Sequence, residues 1–145
     1  MTVDMPAFLT RLVQATNAHD LDALVDCFGP EYRNETPVHP GRDFAGREQV
    51  RANWSQIFSF VPDVHVSVQR WAQDGPDVWS EWEMRGQRRD GTAHLMRGVI
   101  IFGVLDGQAR WARFYLEPVQ DAQDTVNDAV AAQVHASAPS VIETT

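Results

Sequence analysis

Three turn signals in succession constrain this chain more than any other feature. Asp74-Gly75-Pro76-Asp77, Arg89-Asp90-Gly91 and Leu105-Asp106-Gly107 punctuate its second half. Before the first turn, Val64, Val66 and Val68 alternate with His65, Ser67 and Gln69, the two-residue period of a half-buried strand. Strands are expected at 78–85, 93–104 and 109–116, so the segment predicts an antiparallel meander, stopped by Pro118. The first half has a helical period instead. Phe8, Leu9, Leu12, Val13 and Thr16 form one apolar face. Asp20 reads as the N-cap of a short second helix burying Leu21, Leu24, Val25 and Phe28, ended by Gly29-Pro30. A short strand at 31–36 places Tyr32, Asn34 and Thr36 on one face, and Pro37-Val38-His39-Pro40-Gly41 reads as a rigid loop. A third helix at 46–58 carries Val50, Trp54, Ile57 and Phe58 on its apolar side. Helices followed by a curved antiparallel sheet define an α+β fold with the helices on one sheet face.

The turns also set the register. A three-residue loop with a G1 bulge pairs Arg88 with Thr92 and Val104 with Gln108. Trp82 then faces Gly98, Met84 faces Met96, and Gly86 faces His94; Gly98 also faces Phe114, and Ile100 faces Ala112. The inward face would carry Trp82, Met84, His94, Met96, Ile100, Phe102, Ala112, Phe114 and Leu116. The outward face would carry Trp79, Glu81, Glu83, Arg97, Val99, Ile101, Trp111, Arg113 and Tyr115, with Glu83 opposite Arg97. A two-residue turn would reverse these faces. Trp79, Ile101 and Trp111 make an outer apolar patch, which predicts a homodimer through that face.

Composition narrows the function. The 145 residues suit one domain, and 43% hydrophobic residues with five Trp supply its core without staples. We expect that domain at 1–120. Residues 121–135 would form a terminal helix with Val126, Val130 and Val134 four apart, and a Ser/Ala/Pro-rich tail from Ala136 would be frayed. No apolar run approaches the roughly 18 residues of a membrane span. The first residues show no secretory pattern, and the one cysteine, Cys27, fits a reducing compartment, so a cytoplasmic location is expected. All twelve basic residues are Arg, which excludes Schiff-base lysine chemistry and a Walker A lysine and suggests a GC-rich, bacterial genome. A net charge of −8 without a basic tract argues against nucleic acid and anionic membrane surfaces. The five His, at 19, 39, 65, 94 and 135, have no metal-ligand spacing, and no dinucleotide or phosphate-loop motif occurs. No metal and no cofactor are expected.

Several short motifs carry a resemblance. They are Asn17-Ala18-His19-Asp20-Leu21-Asp22, Phe28, Glu35-Thr36-Pro37 and Gly46-Arg47-Glu48-Gln49-Val50. Further along come Trp79-Ser80-Glu81-Trp82, Arg97-Gly98-Val99, Asp106-Gly107 and Arg113-Phe114-Tyr115-Leu116-Glu117-Pro118. In this order they resemble the nuclear transport factor 2-like superfamily, and within it the SnoaL-like polyketide cyclases, over about residues 5–119. The resemblance implies a cone-shaped curved antiparallel sheet packed against three N-terminal helices. Its catalytic residues transfer poorly. Ketosteroid isomerase would have an Asp base where Thr36 stands and a Tyr donor near Leu12. Limonene epoxide hydrolase resembles the chain at Tyr32 and Asn34, its water-holding pair. Its Arg and two Asp would fall near Trp82, Met84 and Phe114. The SnoaL-like base would fall at Phe114, or at the outward-facing Glu117.

What remains is a small set of candidates. His94 is the one His expected to face inward, as a general base, a donor to a carbonyl, or a hydrogen-bonded group at the cavity mouth. Tyr32 and Asn34 share a strand face and suit a carbonyl or a water, or serve as structural polar groups. Trp54, Phe58, Trp82, Met84, Met96, Phe102 and Phe114 would line an apolar pocket or fill the core. The expected ligand is a small hydrophobic carbonyl compound, and the expected chemistry a cofactor-free proton transfer, cyclisation or isomerisation. The alternative is a non-catalytic ligand-binding or protein-interaction module.

Overall fold

The structure, a computed structural model, describes residues 4–135. The tail expected from Ala136 onward lies outside the described residues. Helix α1 (Ala7–Asn17) buries Phe8, Leu9, Leu12, Ala15 and Thr16, the face its periodicity defines. Asp20 caps α2 (Leu21–Val25) by accepting from the Ala23 amide at 3.1 Å. The helix ends sooner than expected, because Phe28, Gly29 and Pro30 already belong to strand β1 (Phe28–Glu35). Pro30 is tolerated there because the ladder to the neighbouring strand is interrupted between Phe28 and Arg33, so no amide is needed from it. A 3₁₀ turn (Pro40–Arg42) and a two-residue strand β2 (Phe44–Ala45), neither expected, return the chain onto β1. Helix α3 (Arg47–Phe60) precedes the meander of β3 (His65–Asp74), β4 (Asp77–Gln87), β5 (Ala93–Leu105) and β6 (Gln108–Pro118).

All six strands form one sheet in the order β2-β1-β6-β5-β4-β3, with β1 parallel to β6. The helices lie on its inward face. Phe8 meets Phe102 edge to face at 5.0 Å. The Asn17 amide grips the β3 edge twice, donating to the Val66 carbonyl at 2.9 Å and accepting from its amide at 2.8 Å. His19, at φ 56, sits 2.9 Å from the Val64 carbonyl. The Asn17-Ala18-His19 motif thus fastens α1 to the sheet edge, a structural task.

The β4–β5 pairing is the expected one, with Trp82 opposite Gly98 and Gly86 opposite His94. The β5–β6 pairing corrects the expectation. Asp106 and Gly107 both have positive φ, 54° and 76°, so the loop has two residues and Leu105 pairs with Gln108. Alone, that turn would put the pocket residues outside. An extra residue, Arg110, is inserted where the register shifts between Gly103 and Val104 and restores the parity. The inward set survives with new partners: Ile100 faces Phe114, Phe102 faces Ala112, and Gly98 faces Leu116 rather than Phe114. At Gly98 the strands close tightly, with φ 152; a Cβ there would lie 2.8 Å from Leu116 Cα and nearer still to the Tyr115 carbonyl oxygen.

On the outer face Glu83 accepts from Arg97 at 3.0 Å and from Arg85 at 2.8 Å, and these two guanidinium groups hold its carboxyl below the usual range. Trp79 is 49% exposed, whereas Trp111 folds down across Gly103. Helix α4 (Val126–Val134) begins with a reciprocal Thr125–Asp128 capping box. Its Val126, Val130 and Val134 stay exposed.

Candidate functional site

Between α3, β1 and the curved meander lies a partly open cavity of about 280 Å³. A smaller chamber of about 50 Å³ shares Phe28, Trp54, Met84, Phe114 and Leu116 with it and continues inward to Trp82, Ile100 and Phe102. One wall is apolar: Met84, Met96, Phe114 and Leu116 project from β4, β5 and β6 by the two-residue alternation of strands. Helix α3 adds Val50, Asn53, Trp54 and Ile57, spaced i, i+3, i+4 and i+7.

The polar wall is β1. Tyr32 and Asn34, with Thr36 one residue past its end, alternate inward and are nearly fully buried. The Tyr32 hydroxyl donates to Asn34 Oδ1 at 2.7 Å. Burial pushes the Tyr32 phenol far above its usual range, so it acts as a neutral donor. With Oδ1 engaged, the Asn34 amide nitrogen has no protein acceptor among the described residues and remains a donor for something else.

His94 enters the cavity from the start of β5. Its Nε2 lies 3.4 Å from Met84 Sδ, a weak partner. Its Nδ1 is buried with no hydrogen-bond partner. Burial, and secondarily the charge of Arg88, lowers its pKa from 6.5, so the ring is neutral at pH 7 and has a lone pair to offer. That nitrogen is closed off from the cavity surface, so lacking a partner costs stability, and the ring meets the cavity through its other atoms.

Of the residues the sequence singles out, Tyr32, Asn34, Trp54, Met84, His94, Met96 and Phe114 are brought together in the main cavity wall. Trp82 and Phe102 line the inner chamber and not the main cavity. Phe58 is a correction: it stacks on the His19 ring at 4.6 Å and lines neither space. One turn beyond Trp54 on α3, it has rotated toward the α1–α2 corner. Glu117 also lies outside the wall, 3.2 Å from His39 Nε2 and 3.9 Å from Arg42. Asn53, Phe44 and Arg42 are in the wall without having been singled out. Asn53 was open to detection, being three residues from Val50 on the same helical face. Phe44 and Arg42 arrive through the return of β2 onto β1, which left no periodic signal in two residues. Among the described residues no three His, Cys, Asp or Glu side chains converge as a metal-ligand set.

Comparison with known proteins agrees with this geometry. The SnoaL-like domain model matches residues 9–114. Wild-type IdmH from Streptomyces antibioticus, described as a candidate polyketide cyclase, is 22% identical with a TM-score of 0.66, over 76% of this chain and 89% of its own. A SnoaL-like candidate polyketide cyclase from Jannaschia sp. CCS1 is 20% identical with a TM-score of 0.64, over 80% and 92%. An LEH-like epoxide hydrolase of M. tuberculosis is 17% identical with a TM-score of 0.65, over 76% and 80%. At these identities the likeness is one of fold. No curated protein matches in sequence.

Proposed function

The chain belongs to the SnoaL-like domain family, and from that premise we propose that it binds a small hydrophobic carbonyl compound in the cavity and moves a proton on it. The observation that carries this reading is the polar inventory of an otherwise apolar space. One amide donor is held by a neutral tyrosine, and one neutral histidine has a ring nitrogen, Nε2, held only by the Met84 sulfur. A ketone oxygen would accept from Asn34, and its apolar body would lie against Met84, Met96 and Phe114. His94 would take a proton from the carbon beside the carbonyl. The C–H bond breaks, an N–H bond forms, and the enolate charge falls on the oxygen that Asn34 holds. Returning the proton to another carbon is an isomerisation; attack of the enolate carbon on a second carbonyl is a cyclisation.

A thermal-shift panel of aryl ketones, steroids, terpene epoxides and fatty acids tests the binding. A ligand at about 100 times its Kd adds roughly 2.7 kcal/mol of apparent stability. A panel without any shift overturns the reading. One observation favours a second, non-catalytic reading: among the described residues no Asp or Glu lines the cavity. Binding without turnover, or turnover that survives His94→Ala, would select that carrier role. We also infer a homodimer through the outer face, supported by the exposed Trp79 and Tyr115 beside the paired charges of Glu83, Arg85 and Arg97.

A further inference from the structure

Among the described residues, the cavity wall holds one ionised side chain, Arg42. It is placed by the 3₁₀ turn that closes the loop between β1 and β2. The Arg42 amide donates to the His39 carbonyl at 2.9 Å, and Asp43 Oδ1 accepts from the Thr36 amide at 2.7 Å, which ties the turn to the end of the polar strand. The guanidinium makes no hydrogen bond among the described residues. Its nearest carboxylate oxygen, on Glu117, is 3.9 Å away and is shared with His39 at 3.2 Å. A planar fork of donors, 61% exposed and held only by this long ion pair, therefore stands at the edge of an apolar space beside the polar end of β1. Such a fork matches a carboxylate in geometry as well as charge.

We infer that the ligand is an amphipathic carboxylic acid. Its apolar body, with any carbonyl, lies inside against Asn34, and its carboxylate sits at the rim on Arg42. This rests on the cavity being a binding site, and it names the class of compound.

Matched pairs of probes separate the two ideas: naphthylacetic acid with its methyl ester, and decanoic acid with methyl decanoate, titrated calorimetrically at low ionic strength. The acid of each pair is expected to bind about tenfold more tightly than its ester, the contribution of one charge-assisted contact at a half-open site. Arg42→Gln is expected to erase that difference while leaving ester affinity within about twofold, less than the tenfold set by 1.4 kcal/mol. Arg42→Lys restores part of it, and added salt weakens it in the wild type. Esters bound as tightly as acids, or an acid preference that survives Arg42→Gln, would overturn the inference and leave the cavity a binding site. No binding by either member of either pair would overturn both. Unchanged circular dichroism of Arg42→Gln excludes misfolding as the source of a loss.

Discussion

Replacing Tyr32 and Asn34, singly and together, measures how the polar wall is built. Tyr32→Phe removes one neutral hydrogen bond of 2.7 Å and leaves Asn34 Oδ1 beside the cavity, where water can reach it. A loss of about 1–1.5 kcal/mol follows. Asn34→Leu is more costly, because the hydroxyl it strands belongs to a residue 1% exposed. The penalty for a buried unpartnered group puts it at about 2–3 kcal/mol. In the double variant two apolar groups of similar shape meet, no polar atom is stranded, and stability should return to within about 1 kcal/mol of wild type. The coupling is then at least about 2 kcal/mol, well above the 0.3–0.5 kcal/mol error of additivity. Urea unfolding followed by tryptophan fluorescence reads all four proteins, and each kcal/mol corresponds to about 2–4 °C in Tm. Ketone affinity should stay lost in the double variant although its stability recovers. Additive single effects would refute the claim that the two side chains act as a unit.

Four other outcomes follow from particular positions. His94 has a depressed pKa in the folded state, so the unfolded chain binds its proton first as pH falls through about 6.5. Stability is thereby lost from about pH 7 downward until the folded-state value is passed; His94→Gln should flatten that part of the curve, read as urea midpoints at pH 7.5 and pH 5. Gly98→Ala drives a Cβ into backbone atoms of Tyr115 and Leu116 that cannot swing away, and should cost more than about 4 kcal/mol or prevent folding. Gly41→Ala, where a Cβ meets nothing within 4 Å, should stay within about 0.5 kcal/mol of wild type. Trp79→Asp should convert the proposed dimer to monomer in sedimentation velocity, whereas unchanged sedimentation would place any interface elsewhere.

Which side chains face the cavity was legible because two-residue alternation is unforgiving. Trp82, Met84, His94, Met96 and Phe114 all lie inward, and so do Tyr32 and Asn34 on β1 and Thr36 just beyond its end. The route to that result was not legible. The expected Val104–Gln108 pair does not form, and two one-residue shifts, the Asp106-Gly107 turn and the Arg110 bulge, cancel in parity. Gly29-Pro30 reads as a helix stop locally, yet it tolerates a strand because an interrupted ladder asks nothing of Pro30. Phe58 had the right spacing and the wrong neighbour, since the angle between α3 and α1 is a tertiary property. Arg42 was hidden for the same reason: a loop's return onto the sheet depends on contacts such as Asp43 with the Thr36 amide, which no short-range pattern encodes.

The central claim is that a carbonyl compound enters the cavity and meets Asn34. Proton–nitrogen correlation spectra of the labelled protein, titrated with an acetylnaphthalene, test it most directly. Saturable shifts of the Asn34 side-chain amide and the Trp54 indole N–H are expected, with the outer-face indoles of Trp79 and Trp111 unmoved. Shifts confined to Trp79 and Trp111, or an Asn34 amide that never moves while ligand binds, would contradict it.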